Sequence, residues 1–113
     1  MDEETVKSAM NIILHAGDAR VFCQKALKNI ADFKIDEAKE NMKLANEKIV
    51  EAHKIQTQAI QKETCGEKKE YSLLFAHAQD TLMTIYSEIN IAKKLICLTE
   101  AIDERFKKLE EEK

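Results

Sequence analysis

Apolar residues recur at steps of three and four along the first third of the chain, the spacing typical of an amphipathic α-helix. The stretch runs from Glu3 to about Phe33, and its acidic first turn suits the positive end of a helix dipole. Its predicted apolar positions are Val6, Met10, Ile13, Ala16, Cys23, Ala26, Leu27 and Ile30. Gly17 interrupts the pattern, and we expect it to allow close approach of another backbone.

A second helix is predicted from a cap at Asp36 to about Thr64. One seam of this segment alternates steps of four and three without interruption, and most of its residues are small. The seam comprises Ala38, Met42, Ala45, Ile49, Ala52, Gln56 and Ala59. Cys65 and Gly66 follow, and Gly66 suits a left-handed helix C-cap.

A third helix is predicted to begin between Glu67 and Tyr71 and to run to Phe106 or beyond. One of its faces is apolar, with Phe75, Ala78, Leu82, Ile85 and Ile89. The helix is apolar around much of its circumference, and the two neighbouring helices cannot cover all of this surface. We therefore expect the surplus to be buried between subunits.

The composition agrees with an all-α fold, because 113 residues include no Pro and only two Gly. This length suits one domain, residues 1–113, with a charged tail from about residue 104 that we expect to fray. Three helices joined by tight turns predict an antiparallel, up-down-up three-helix bundle.

Charge and hydropathy exclude some classes of function. The net charge of −3, with no strongly basic block, argues against nucleic-acid binding. No stretch is apolar for long enough to cross a bilayer, and the acidic N-terminus does not resemble a signal peptide. Cys23, Cys65 and Cys97 lack metal-binding spacing and indicate reduced thiols in a cytoplasmic protein.

Polar residues interrupt the third helix along one seam, formed by Leu73, His77, Asp80, Thr84 and Ser87. His77 and Asp80 are three residues apart and share a helical face. The imidazole of His77 can attack phosphorus as a nucleophile. If rotational symmetry brought several copies of Asp80 together, their carboxylates would repel unless a hard cation such as Mg²⁺ lay between them.

Folding the helices about residue 34 or 35 and about Gly66 predicts that His15, His53 and His77 lie within about one turn of each other. Two alternatives to a phosphoryl-transfer site follow. In a helical interaction module, His77 and Asp80 would be a satisfied pair in the core. In a metal-dependent hydrolase, the three imidazoles would hold zinc.

Three blocks in order along the chain resemble the lactose/cellobiose-type IIA component of the bacterial phosphotransferase system. They are residues 13–20 (ILHAGDAR), 52–57 (AHKIQT) and 72–84 (SLLFAHAQDTLMT). The resemblance extends over about residues 5 to 100. It implies three-helix protomers assembled as a nine-helix homotrimer.

The resemblance also implies a function and a site. His77 matches the histidine that accepts a phosphoryl group on Nε2 from the phosphocarrier HPr and passes it to a cysteine of the IIB component. That transfer drives disaccharide uptake through the membrane component IIC. Asp80 matches the aspartate whose three copies bind one Mg²⁺ per trimer. The family commonly has histidine where this chain has Thr81. Further polar residues are candidates to surround the acceptor, namely His15, Gln56, Gln79 and Thr81.

Overall fold

The computed structural model of the chain describes residues 3–66 and 72–112. Over these ranges it consists of three helices, α1 (Glu3–Ala31), α2 (Ile35–Thr64) and α3 (Leu73–Glu111). They form an elongated bundle of 69 × 21 × 18 Å. The predicted all-α, up-down-up architecture is confirmed. No helix in the described ranges has a segment long and apolar enough to cross a bilayer.

The predicted core seams of α2 and α3 are confirmed. Ala38, Met42, Ala45, Ile49 and Ala52 of α2 are buried. Ala78, Leu82, Ile85 and Ile89 of α3 are also buried, and Phe75 packs partly buried against them. Small side chains along α2 leave room for α1, and these two helices have the most extensive contact in the bundle.

In the first half of α1 the buried face is shifted by one position along the sequence from the predicted face. Its buried residues are Thr5, Ala9, Ile12, Ala16, Ala19, Cys23 and Ala26. Met10 is 53% exposed, whereas the neighbouring Ala9 is fully buried. The prediction favoured the larger apolar residues, but the close approach of α2 selects alanine. Gly17 is exposed, and a Cβ added there would have no neighbouring atom of the described protomer within 4 Å. The predicted close approach of another backbone is therefore wrong within the protomer.

The turn between α1 and α2 is tight, and Phe33 adopts a positive φ of 57°. The N-cap residue of α2 is Lys34, which makes no side-chain capping bond. The predicted cap at Asp36 is therefore wrong, and Asp36 lies in the first turn of the helix instead. At the other end of α2, Gly66 has φ 98°, which confirms the predicted left-handed termination.

The predicted start of α3 at residues 67–71 lies outside the described residues, and the described helix begins at Leu73. At its other end α3 continues as a helix to Glu111, through the segment that we expected to fray.

Side-chain pairs fix the register of α2 against α3. Lys39 Nζ donates to Glu100 Oε2 at 2.8 Å, and Lys93 Nζ donates to Asn46 Oδ1 at 3.2 Å. Because the two helices are antiparallel, the same register places His77 level with Lys62. The tight turn at Gly66 assumed from the sequence had placed His77 level with about residue 55. The later start of α3 accounts for the difference.

Candidate functional site

Ser72 sets the start of the helix that carries the candidate acceptor. Its backbone is extended, with φ −125° and ψ 118°, and its Oγ accepts a hydrogen bond of 3.1 Å from the backbone N–H of Phe75. This is an N-cap interaction, which satisfies one of the free N–H groups of the first turn. Sequence reasoning missed this role, although a serine directly before an apolar run is a helix-start signal.

His77 lies in the second turn of α3, and its side chain is exposed. Its imidazole makes no hydrogen bond or ion pair within the described residues, so neither ring nitrogen is engaged by another group there. The backbone below it is held by Thr81, whose Oγ1 donates to the carbonyl oxygen of His77 at 2.9 Å. The helix thus presents an accessible imidazole on a well-supported backbone.

Asp80 is also exposed, one turn further along α3. Its carboxylate has no partner in the described part of the chain, and its backbone carbonyl accepts a 2.8 Å hydrogen bond from Thr84 Oγ1. The predicted polar seam is therefore an outward-facing surface of the protomer. A satisfied core pair of His77 and Asp80 is wrong, because both side chains are exposed and they do not bond to each other.

The three predicted histidines do not form one layer. The ring of His53 contacts that of Tyr86 edge to face, with centroids 4.9 Å apart and planes at 87°. Tyr86 is nine residues beyond His77, about 13 Å along α3 at 1.5 Å per residue. His77 is thus remote from His53, and the structure removes the geometric basis of a three-histidine zinc site.

His15 and His53 are partly buried, and each has one ring nitrogen enclosed without a hydrogen bond, Nδ1 of His15 and Nε2 of His53. His53 lines an open groove of about 580 Å³ between α2 and α3, together with Val50, Thr57 and Tyr86. The contact of Tyr86 with His53 is not predictable from the sequence, because it depends on the register between α2 and α3.

The other candidate polar residues, Gln56, Gln79 and Thr81, are each partly buried. Of the three, Thr81 contacts His77, and it does so through the backbone carbonyl.

Within the described residues of one protomer, no three His, Cys, Asp or Glu side chains are grouped so that they could hold a metal ion. The carboxylate of Asp80 is exposed and has no partner among the described residues, and carboxylate oxygens are the ligands that Mg²⁺ prefers. Asp80 therefore fits a metal site only if further ligands come from other copies of the chain.

An ion pair joins α1 to the middle of α3. Arg20 Nη2 lies 2.7 Å from Glu88 Oε2, and Arg20 Nε lies 3.3 Å from Glu88 Oε1. The hydrogen bond with Glu88 raises the pKa of the Arg20 guanidinium. Glu88 is eleven residues beyond His77, about three helical turns along α3, so this pair fixes α1 against α3 away from the candidate acceptor.

Comparison with known proteins bears on the family and the fold of the chain. The family model described as PTS system, Lactose/Cellobiose specific IIA subunit, matches residues 7–100. The lichenan-specific phosphotransferase enzyme IIA component of Bacillus subtilis is 37% identical over 105 residues, which cover 93% of this chain and 96% of that protein. The N,N'-diacetylchitobiose-specific EIIA component of Escherichia coli K12 is 33% identical over 88% of this chain and 86% of its own length.

A solved structure gives the same result for the fold. The cellobiose-specific enzyme IIA from Bacillus anthracis superimposes with a TM-score of 0.85 at 38% identity, over 92% of this chain and 95% of that one. The residues that match the family model, 7–100, include His77 and Asp80, all of α2 and most of α1 and α3. The chain therefore belongs to the lactose/cellobiose-specific IIA family of the sugar phosphotransferase system.

Proposed function

We propose that this protein is a phosphocarrier that receives a phosphoryl group from HPr on Nε2 of His77 and passes it to a cysteine of the cognate IIB component. The observation that carries the proposal is the exposed His77 imidazole, free of partners in the described structure, within a chain of this family. Transfer between proteins requires a nucleophile that both the donor and the acceptor can reach.

The chemistry consists of two transfers. In the first, the lone pair of Nε2 attacks phosphorus, and the new N–P bond forms as the bond between phosphorus and the donor breaks. In the second, the IIB thiolate attacks the same phosphorus, and the electrons of the N–P bond return to the imidazole. The hydrogen bond from Thr81 fixes the backbone of His77, which limits the orientations of the ring during both steps.

The proposed active form is a cytoplasmic homotrimer with Asp80 from each chain near the threefold axis. Large apolar side chains of α3 remain exposed in the protomer, as expected of a helix with partners outside its own chain. Three carboxylates brought together in this way would repel, and one Mg²⁺ bound between them would offset that repulsion. The metal has no role in the transfer steps given above.

The named relatives serve several sugars, including lichenan, lactose and N,N'-diacetylchitobiose. We therefore propose a disaccharide of the lactose, cellobiose or chitobiose type as the substrate of the complete system, whose membrane component would be IIC.

The direct test is incubation of the purified chain with phosphoenolpyruvate, enzyme I and HPr, followed by peptide mass mapping at neutral or higher pH. The expected result is a gain of about 80 Da, the mass of one PO₃ group, on the peptide that contains His77. His77→Gln should abolish the gain, and His15→Gln, which alters a partly buried histidine elsewhere, should retain it. Labelling that persists in His77→Gln would overturn the proposal.

A further inference from the structure

Two grooves lie end to end between α2 and α3, where these helices have the least extensive contact of the three helix pairs. The first, of about 580 Å³, contains His53 and Tyr86, and the second, of about 400 Å³, contains Lys43 and Lys93. Asn46 lines both, so the two form one continuous groove. Each volume lies within the range of small-molecule sites.

The second part of the groove is positively charged. Its charged residues are Lys39, Lys43, Lys93 and Glu100, a net charge of +2 in a chain whose net charge is −3. Lys39 is paired with Glu100 at 2.8 Å, whereas Lys93 donates to the neutral amide oxygen of Asn46 at 3.2 Å. Lys43 makes no hydrogen bond or ion pair with the described residues. Two ammonium groups in the groove are therefore not neutralised by a carboxylate, and an anion such as phosphate can pair with them.

The first part of the groove combines an aromatic ring with neutral polar groups. Tyr86 is 39% exposed, so part of its ring surface faces the groove. Asn46 and Thr57 supply an amide and a hydroxyl group. The lysine of this part, Lys54, already faces Glu51 at 3.6 Å. Sugars have C–H groups on their ring faces and hydroxyl groups around their edges, so this combination suits a neutral saccharide better than an anion.

The two parts are spaced for one ligand. Lys93 is seven residues beyond Tyr86, about 10 Å along α3, which is about the length of a disaccharide. On the α2 side the same spacing recurs, because His53 contacts Tyr86 and Asn46 bonds to Lys93. A molecule whose sugar lies against Tyr86 can therefore place a phosphate at the lysines.

We propose that this groove binds a phosphorylated saccharide, with the phosphate at Lys43 and Lys93 and the sugar against Tyr86. The groove is separate from the face that meets the proposed threefold axis, since Tyr86 and Lys93 are turned by about 120° and 140° around α3 from Asp80. A phosphorylated saccharide is also the product that phosphoryl transfer to a sugar yields, so the groove is suited to sense that product. Only this last step rests on the proposed function, and the binding itself does not.

Titration of the full-length protein with cellobiose monophosphate, followed by amide NMR spectra, tests the site. Cellobiose and inorganic phosphate are titrated separately. The amide signals of Asn46 and Tyr86 should shift, and the dissociation constant of the monophosphate should be at least about tenfold lower than that of either fragment, because one ligand uses both parts of the groove. Equal affinity for inorganic phosphate, or shifts centred on His77 instead, would overturn the proposal.

Two neighbouring lysines provide a matched comparison. Lys93→Gln should weaken binding of the monophosphate by at least about fivefold, because it removes a charged partner of the phosphate. Lys94→Gln removes the same charge from an exposed residue that does not line the groove, and its affinity should equal that of the wild type. Equal losses in the two variants would indicate general attraction of an anion and would contradict the site.

A third variant separates this inference from the phosphocarrier. His77→Gln lies outside the groove, so it should bind cellobiose monophosphate like the wild type while it loses the phosphoryl label. A wild-type protein that binds the monophosphate and is never labelled would contradict only the phosphocarrier. A labelled protein that does not bind the monophosphate would contradict only the groove.

Discussion

The hydroxyl of Thr81 donates a hydrogen bond of 2.9 Å to the carbonyl oxygen of His77, four residues earlier in α3. By the resemblance noted in the sequence, relatives commonly have a histidine at this position. In this chain the side chain is occupied with the helix backbone. We therefore expect it to affect the position of the His77 backbone and not the proposed chemistry at Nε2.

Replacement of Thr81 by valine should therefore have a small effect. Valine keeps the branched shape and loses one exposed hydrogen bond, which is worth about 1 kcal/mol or less. We expect the initial rate of phosphoryl transfer from HPr to fall by about threefold at most, as measured by mass spectrometry over time. A loss of a hundredfold would show that the hydroxyl takes part in transfer. Thr81→His is the informative companion, since it restores the residue common in the family.

Substitution of Asp80 should affect assembly and not folding. Its carboxylate is exposed and has no partner in the described structure, so Asp80→Ala should retain the helical content seen by circular dichroism. If three copies hold Mg²⁺, EDTA should raise the half-assembly concentration of the wild-type trimer by about tenfold. Because the dissociation constant of a trimer scales as the square of that concentration, this is a shift of about 2.7 kcal/mol per trimer. In the presence of Mg²⁺ the Asp80→Ala trimer should be weaker than the wild-type trimer, and EDTA should not change its half-assembly concentration.

Asp80→Asn is the matched control for charge. It removes the repulsion between carboxylates as well as the strong ligand, so its trimer should be more stable in EDTA than that of the wild type. The proposed metal site would be contradicted if neither EDTA nor the Asp80→Ala substitution changed the half-assembly concentration of the trimer.

Loss of the N-cap at Ser72 should destabilise the protein by about 1 kcal/mol. Ser72→Ala removes the oxygen that accepts from the N–H of Phe75, at the turn directly before His77. Ser72→Asp should retain most of the stability, because aspartate also caps helices and favours the positive end of the dipole. Urea unfolding at one fixed protein concentration measures both, since assembly makes stability depend on concentration. Equal losses in the two variants would exclude a capping role.

The sequence predicted the fold where the hydrophobic pattern has one solution. The seam from Ala38 to Ala52 repeats small and apolar residues without interruption, so its buried face is unambiguous. In α1 the pattern offers two adjacent faces, one with Met10 and one with Ala9. The choice between them depends on how closely α2 approaches, which is a tertiary effect that local periodicity does not contain.

The candidate site shows the same division. The shared face of His77 and Asp80 follows from their spacing within one helix, and the structure confirms it. The relation between His77 and His53 depends on the length of the connection between α2 and α3. An error of a few residues in that turn moved His77 by seven positions along α2, about 10 Å. Contacts between helices are thus the least predictable part of the site.

The pair of Arg20 and Glu88 should make a small, salt-dependent contribution to stability. Their side chains are 44% and 34% exposed, and such pairs are typically worth up to about 1 kcal/mol. Arg20→Lys loses one of the two hydrogen bonds, so we expect a loss of about 0.5 kcal/mol in urea unfolding at low salt. The difference should shrink at 1 M NaCl because screening weakens exposed pairs. A loss that is the same at both salt concentrations would indicate packing of the side-chain stem instead.

Cys23 should make the stability of the protein depend on pH in the alkaline range. The thiol is fully buried in the core, and burial, with a smaller effect of Glu88, raises its pKa above the ordinary value of 9.0. In the folded state the proton is therefore held to higher pH than in the unfolded state. The stabilisation is complete below pH 9 and is lost as the pH rises through the folded pKa, because the unfolded thiol ionises first.

The free energy of unfolding should thus fall from about pH 9 upward, with a contribution from Cys23 of at most about 1.4 kcal/mol per pH unit. Cys23→Ala should remove this contribution. The measurement is the slope of the free energy of unfolding against pH, from urea unfolding at about pH 8 to about pH 10.5. Slopes are compared because the substitution also changes the absolute stability. Cys97→Ser removes an exposed thiol and serves as the control, with the wild-type slope expected. Parallel slopes for wild type and Cys23→Ala would mean that the Cys23 thiol ionises as readily in the folded bundle as in the unfolded chain.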